Sequence, residues 1–146
     1  MLRLLDRARF APSLALMRQE GPFLADLPAD VEVHAVRAPR LALAAPSLAM
    51  LLRQLQPDVL LSTSSTGNIV AAMAHLAARS RARLVLSERT PLFRGGERSL
   101  KHHAFALAKR ASYGRADLIT AVAGGIADQL TAALRLPMEK VRGLAN

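Results

Sequence analysis

The stretch PDVLLSTSSTGNIVAAMAHLAA, residues 57–78, determines the fold of this 146-residue chain. Residues 58–61 form a short apolar run of the kind found inside parallel sheets, where both faces are covered. Residues 62–68 are six small polar residues and one glycine, which predicts a tight polar loop. From Ile69 the chain is apolar on nearly every side, which predicts a helix packed against a sheet. Ligands of open α/β sheets bind at the carboxyl ends of the strands, so this unit is the strongest candidate for a functional site.

The rest of the chain alternates strands with helices. Apolar runs predict strands over residues 10–17, 31–36, 83–87 and 117–122, with a last strand beginning at Val141. Helices are predicted after Ser47 as N-cap, over 98–111, and from Gly124 towards Pro137. This alternation predicts one α/β domain over residues 1–146, with a largely parallel sheet and flanking helices. Right-handed crossovers place strand residues 59–61, 84–86 and 118–120 side by side in that order.

Composition sets limits on the protein class. Hydrophobic residues make up 51% of the chain and aromatic residues 3%, so the core is expected to consist of Leu, Ala and Val. The chain has no cysteine, which excludes disulfides and thiolate metal sites and makes a cytoplasmic setting the default. The net charge of +9 suits an anionic partner such as a phosphorylated ligand, an acidic membrane face or nucleic acid. A GC-rich gene, which encodes much Arg and Ala, is the competing explanation.

The polar loop is the first candidate ligand site. Hydroxyls and backbone N–H groups at a helix amino terminus suit an anion or a network of sugar hydroxyls. A well-capped turn without a ligand would use the same residue types. The loop also resembles the phosphate loop of flavodoxins, but two strands precede it here and the chain has no Trp, so we predict no flavin and no other cofactor. The candidate residues are Ser62, Thr63, Ser64, Ser65, Thr66, Gly67 and Asn68.

Two further loops follow the next two strands and lie at the same edge if the sheet is parallel. The first contains Ser87, Glu88, Arg89 and Thr90, where the carboxylate beside an arginine would position a sugar hydroxyl. An exposed loop pair without a ligand is the alternative. Gly124 and Gly125 open the last helix and offer accessible backbone donors, although a tight turn alone would also use glycine.

The helix predicted over 98–111 has a basic face. A helical wheel places Arg98, His102, Phe105 and Lys109 together with Lys101 at the edge, opposite Leu100, Ala104 and Leu107. A basic face with one exposed Phe suits an anionic membrane surface. The alternative is a solvated face with Phe105 packed under a neighbour. The histidines have no spacing that predicts a metal site, and we expect none.

Read in order, several segments resemble the N-terminal, acceptor-side domain of family 4 glycosyltransferases, which have the two-domain GT-B architecture. GPFLADLP resembles the family's G-P-L-x-x-E-L-P stretch, and LLRQLQPDVLLS resembles its L-R-P-D-V-V-x-S strand. RADLITAVAGGIADQL resembles the R-A-D-x-V-x-A-V-S-x-G-V-A-D-x-L run, and RLVLSERT lies between the two at family-like spacing. The family commonly has His at Arg89, and Ser and Glu at Ala123 and Gly124.

The resemblance implies a Rossmann-like sheet whose central first strand, with its glycine-rich loop, precedes residue 1, and a second domain that follows Asn146. It implies that loops 62–68, 87–90 and 124–125 bind a glycan or lipid-linked acceptor, facing a nucleotide-sugar donor held mainly by the second domain. We therefore expect a glycosyltransferase fragment that is inactive alone and has no nucleic-acid partner. A cytoplasmic location is expected, with peripheral contact at the inner membrane face as an option. The alternative function is a non-catalytic basic α/β module that binds an anionic membrane surface or a phosphorylated ligand.

Overall fold

The computed structural model describes residues 2–89 and 100–144, and for Phe23 and residues 100–103 it describes the backbone alone. Strands and helices alternate as the sequence predicts. The strands are β1 (Ser13–Leu16), β2 (Glu32–Ala35), β3 (Val59–Thr63), β4 (Arg83–Glu88), β5 (Leu118–Ala121) and β6 (Val141–Gly143). The helices are α1 (Ala45–Leu55), α2 (Ser65–Ala78), α3 (Leu100–Gly114) and α4 (Gly124–Leu134).

The described strands form two parallel sheets. Strands β3, β4, β5 and β6 pair in that order, and β1 pairs with β2 in a separate sheet. The predicted neighbours are in register, because Leu60 pairs with Leu84, and Leu86 pairs with Ile119. The predicted α/β class and the predicted strand order are therefore confirmed, and the fold is Rossmann-like.

Helices α2, α3 and α4 cover one face of the larger sheet. Successive parallel strands that advance in one direction through right-handed crossovers place their helices on the same face. Burial alternates accordingly, since Leu84, Leu86 and Ile119 are fully buried while Val59 is 52% and Leu61 is 43% exposed. The core lies between this face and the helices and is built mainly from Ala, Leu and Val, as the composition predicts.

Strands β1 and β3 do not pair within the described part of the chain. The resemblance predicts a vacant strand position between these two strands. Direct pairing of β1 with β3 would have contradicted that prediction. The vacant strand position itself stays a prediction.

Two helices begin earlier than the sequence predicts. Helix α1 begins at Ala45, before Ser47, because Pro46 fits the first turn; the Ser47 hydroxyl instead accepts a hydrogen bond from the Arg37 N–H, at 3.0 Å. Helix α2 begins at Ser65 rather than near Ile69, and β3 extends through Thr63. The predicted seven-residue loop is therefore reduced to the turn at Ser64. None of the helices in the described ranges has the length and apolar character needed to cross a membrane.

Candidate functional site

The carboxyl ends of β3, β4 and β5 meet at one edge of the sheet. Thr63, Ser87 and Thr120 lie side by side in register. Neighbouring strands are about 4.8 Å apart, so this row spans roughly 10 Å. The three predicted loops follow these strands directly and therefore share one edge, which is where ligands bind in open α/β sheets.

The turn from β3 into α2 has a strained backbone. Ser64 has φ 103° and ψ 142°, a conformation that is essentially limited to glycine. Its hydroxyl accepts a hydrogen bond from the Gly67 N–H at 3.3 Å, which caps the helix. Ser64 is exposed, and the first backbone N–H groups of α2 lie beside it at the site edge. Strain of this kind concentrates at ligand-binding turns.

Directly beneath this turn lies a fully buried carboxylate. Glu88 is 0% exposed at the end of β4, and the Ser65 hydroxyl lies within hydrogen-bonding distance of both carboxylate oxygens, at 2.9 and 3.0 Å. The Lys109 ammonium contacts Oε2 of the carboxylate at 2.5 Å, and the Tyr113 hydroxyl donates to the same oxygen at 2.6 Å. The contact with Ser65 fixes the first residue of α2 to β4, so the carboxylate supports the candidate site from below.

The charge state of this cluster follows from its contacts. Burial alone would raise the pKa of Glu88, but hydrogen bonds from Lys109 and Tyr113 and the Lys109 charge outweigh burial and hold it below 4.5. Burial and the adjacent carboxylate raise the pKa of Tyr113, so its phenol stays protonated and acts as a donor. Lys109 is itself 2% exposed, and its Nζ lies 5.2 Å from the centre of the Tyr113 ring. Glu88 and Lys109 are therefore a buried ion pair.

Asn68 joins the same cluster from the first turn of α2. Its Nδ2 donates to the Ser87 carbonyl at 3.0 Å and to the Tyr113 hydroxyl at 2.8 Å, and the residue is 0% exposed. Its Oδ1 is buried without a hydrogen-bond partner among the described residues. Asn68 and Glu88 thus lie beneath the edge, where their side chains hold the turn.

Gly124 and Gly125 are exposed at the start of α4. Neither residue has a positive φ, and a Cβ atom on either would have no atom within 4 Å. The tight-turn explanation for these glycines is therefore wrong, because alanine would fit the backbone and the space. The other interpretation of these glycines, as accessible backbone donors for a ligand, stays a prediction.

The structure places the remaining predicted residues as follows. Ser62, Ser65, Thr66, Gly67 and Ser87 are half-buried at the edge, Thr63 and Arg89 are exposed, and Thr90 lies outside the described residues. Both interpretations of Glu88, as a carboxylate that positions a sugar hydroxyl and as half of an exposed loop pair, are wrong, because its side chain is buried and points with Leu84 and Leu86 towards the helices.

The predicted membrane face of α3 is wrong at Lys109. This lysine faces the core together with Ser112 and Tyr113, whereas Leu107, assigned to the apolar face, is 68% exposed. Ala104, on the same predicted face, is also exposed, and Phe105 is 42% exposed. Arg98 lies outside the described residues, and for Lys101 and His102 only the backbone is described.

The sequence interpretation missed that Lys109 and Tyr113 belong to the site. One signal was present: Leu84, Leu86 and Glu88 alternate along one strand, which places the carboxylate on the buried face. A buried carboxylate needs a cation and hydrogen-bond donors. Lys109 and Tyr113, four residues apart on one helix face, supply both.

We predict that Ser64→Gly stabilises the protein. Glycine adopts the φ of 103° without strain, which should raise the free energy of unfolding by about 1 kcal/mol. Loss of the capping hydroxyl lowers it by only about a few tenths of a kcal/mol when the new residue is glycine. Urea unfolding should show the gain. Ser64→Ala keeps the strain and loses the cap, so it should destabilise by about 1 kcal/mol. Equal unfolding midpoints for the two variants would contradict the strain argument.

A family model described as glycosyl transferase 4-like domain matches residues 2–146. A search of curated proteins finds no match. Within the described ranges, no group of three or more His, Asp or Glu residues could hold a metal ion.

Proposed function

Because the chain belongs to the glycosyl transferase 4-like family, we propose that it is the acceptor-side domain of a glycosyltransferase with GT-B architecture. In this proposal the complete enzyme transfers a sugar from a nucleotide-sugar donor to a glycan or lipid-linked acceptor. The second domain holds most of the donor, and this domain alone is inactive. One observation carries the proposal: the turns after β3, β4 and β5 lie at the same edge of one parallel sheet.

Each part of the edge has a role in acceptor binding. Five side-chain hydroxyls at the edge exchange hydrogen bonds with sugar hydroxyls. They belong to Ser62, Thr63, Ser64, Thr66 and Ser87. Arg89 supplies a charged donor for a phosphate of a lipid-linked acceptor. Gly124 and Gly125 let the acceptor approach the backbone N–H groups of α4. The buried Glu88 and Asn68 do not contact the acceptor and instead fix the position of α2.

The proposal predicts that Gly125→Ala weakens acceptor binding without loss of stability. A Cβ at this position meets no protein atom within 4 Å, and alanine at the start of a helix is tolerated, so the unfolding midpoint should stay the same or rise. The added methyl group occupies space that the acceptor would use. We expect about tenfold weaker binding, which corresponds to about 1.4 kcal/mol.

Amide NMR titration of the 146-residue chain measures this effect. The probes are the methyl glycosides of glucose, galactose, mannose and N-acetylglucosamine. At least one probe should shift the amide signals of Ser65, Gly67 and Gly124, and Gly125→Ala should weaken that response. Gly114→Ala is the matched control, because a Cβ there also meets no atom within 4 Å and Gly114 ends α3 away from the edge. Shifts confined to residues elsewhere would contradict the assignment of the acceptor site.

The alternative of a non-catalytic basic module loses its main support at α3, since Lys109 is buried. The net charge of +9 still suits an anionic partner, and the exposed arginines at the amino ends of the strands carry much of that charge.

A further inference from the structure

The amino ends of the strands carry a dense group of exposed arginines. In a parallel sheet, the carboxyl ends of the helices all lie at this end, opposite the candidate site. We define the amino-end surface by its exposed arginines Arg53, Arg79, Arg81, Arg83, Arg115 and Arg135 together with the exposed apolar residues Leu55, Leu76 and Met138.

Contacts between neighbouring turns make this surface continuous. Arg53 donates to the Ala77 carbonyl at 2.5 Å, which joins the ends of α1 and α2. The Leu84 N–H donates to Asp117 at 2.7 Å, which joins the start of β4 to the turn before β5. Lys140 reaches the Gly114 carbonyl at 3.4 Å, which joins the turn before β6 to the end of α3.

The charge of this surface is strongly unbalanced. None of its six arginines forms a salt bridge within the described ranges. Its acidic residues are Asp58, Asp117 and Glu139, and Lys140 adds a further positive charge. By contrast, residues 1–36 hold four arginines and five carboxylates. Arginine near a helix carboxyl terminus also stabilises the helix dipole, but that effect gives no reason for the exposed apolar side chains among the arginines.

Those apolar side chains decide between the anionic partners. Leu76 in the last turn of α2 is 52% exposed, and Met138 in the segment between α4 and β6 is 75% exposed. They are close in sequence to Arg79, Arg81 and Arg135. Nucleic-acid surfaces of this charge would place aromatic or polar groups near the bases, and the described part of the surface has no aromatic residue. Arginine beside exposed Leu and Met suits a lipid surface, because the cations contact phosphates while the apolar groups enter the acyl boundary.

We propose that the amino-end surface binds the surface of a bilayer that contains anionic phospholipids. This surface replaces α3 as the membrane-facing part of the domain. Strands of four to six residues, at about 3.3 Å per residue, separate it from the candidate site by about 15 Å. A domain bound in this way turns the candidate site away from the bilayer, which suits the glycan acceptor of the proposed function and not the lipid-linked one. The inference itself does not depend on the proposed glycosyltransferase function.

Vesicle flotation of the 146-residue chain tests the proposal. The vesicles contain equal parts of phosphatidylglycerol and phosphatidylcholine, and vesicles of phosphatidylcholine alone serve as the reference. We expect binding to the anionic vesicles at low salt, little binding to the reference, and release at high salt. Binding that is equal on both vesicles, or absent from both, overturns the proposal.

Matched variants locate the surface. Arg79→Gln with Arg81→Gln should weaken the partition onto anionic vesicles by about 10- to 30-fold, given the strength of each arginine–lipid contact. Arg37→Gln with Arg40→Gln removes the same charge near the amino terminus of α1. This double variant should change the partition onto anionic vesicles by less than about threefold. An equal loss in the two double variants would show a response to net charge alone and would overturn the assignment.

The apolar part is tested by a second pair of variants. Leu76→Gln should weaken the partition by about threefold or more. Leu43→Gln changes a leucine that is also exposed, at 60%, but lies just before α1 at the opposite end, and it should have no effect. Because all the substituted side chains are exposed, unfolding midpoints should remain close to wild type. If duplex DNA of moderate length binds more tightly than the vesicles and Leu76→Gln changes neither affinity, the lipid assignment is wrong.

Discussion

Lys109→Met is expected to lower the free energy of unfolding by about 3 kcal/mol. The lysine is 2% exposed and contacts the buried carboxylate of Glu88, and its Nζ is also 3.1 Å from the Ser65 hydroxyl. Methionine preserves the length of the side chain but removes the charge, so a principal cation is lost from a buried carboxylate. Urea unfolding at neutral pH measures the loss. Arg110→Met is the matched control, because the next residue of α3 is exposed and its substitution should change stability by less than about 0.5 kcal/mol.

A double-mutant cycle separates the ion pair from lost packing. Glu88→Gln with Lys109→Met removes both charges, and this variant should be more stable than the sum of the two single losses predicts. Additive losses would show that the two side chains act independently.

The pH dependence of this effect has a definite sign. The pKa of Glu88 in the folded protein is below its ordinary value of 4.5, so its ionised form stabilises the wild type above that pH. This contribution is lost as the pH falls through the folded pKa. In Lys109→Met the carboxylate protonates more readily, which relieves the buried charge. The stability difference between the two proteins should therefore narrow as the pH falls through the higher folded pKa of Glu88 in the variant towards its lower folded pKa in the wild type.

The sequence predicted the larger sheet because its strands are simple apolar runs. Leu84, Leu86 and Ile119 are buried, and the crossover rule orders their strands without further information. The start of α2 was missed for a physical reason. Ser65, Thr66 and Gly67 have low helix propensity, and the capping hydroxyl of Ser64 with the contact between Ser65 and Glu88 holds them in the first turn.

The error at α3 arose because a helical wheel treats a helix in isolation. By hydropathy, Lys109 belongs to the solvent side and Leu107 to the core. A carboxylate on a neighbouring strand reverses this assignment, because a buried ion pair requires its cation inside. Periodicity contains no information about that partner. The sequence also did not predict where the excess positive charge lies. Arg79, Arg115 and Arg135 are distant in sequence, and the parallel topology brings them to one end of the sheet.

The largest expected effect concerns catalysis by the 146-residue chain. We expect no detectable release of UDP or GDP from their hexose conjugates, with or without the methyl glycosides used as acceptor probes. In the proposed arrangement, the acceptor site is an open edge and the donor is held mainly by a second domain. Orientation of two reactants supplies about 7 to 11 kcal/mol of an enzymatic rate enhancement, and it requires both to be bound against each other.

A coupled assay for released UDP or GDP measures the transfer activity of the 146-residue chain. A complete two-domain glycosyltransferase serves as the positive control. Saturable release that Gly125→Ala weakens would show that the edge binds the reacting sugars and that this domain suffices for transfer. The acceptor assignment would then stand and the predicted inactivity would fail. An acceptor-side domain should instead show no detectable release of UDP or GDP, together with glycoside-induced amide shifts at Ser65 and Gly124. Binding a single reactant does not lower the barrier to transfer.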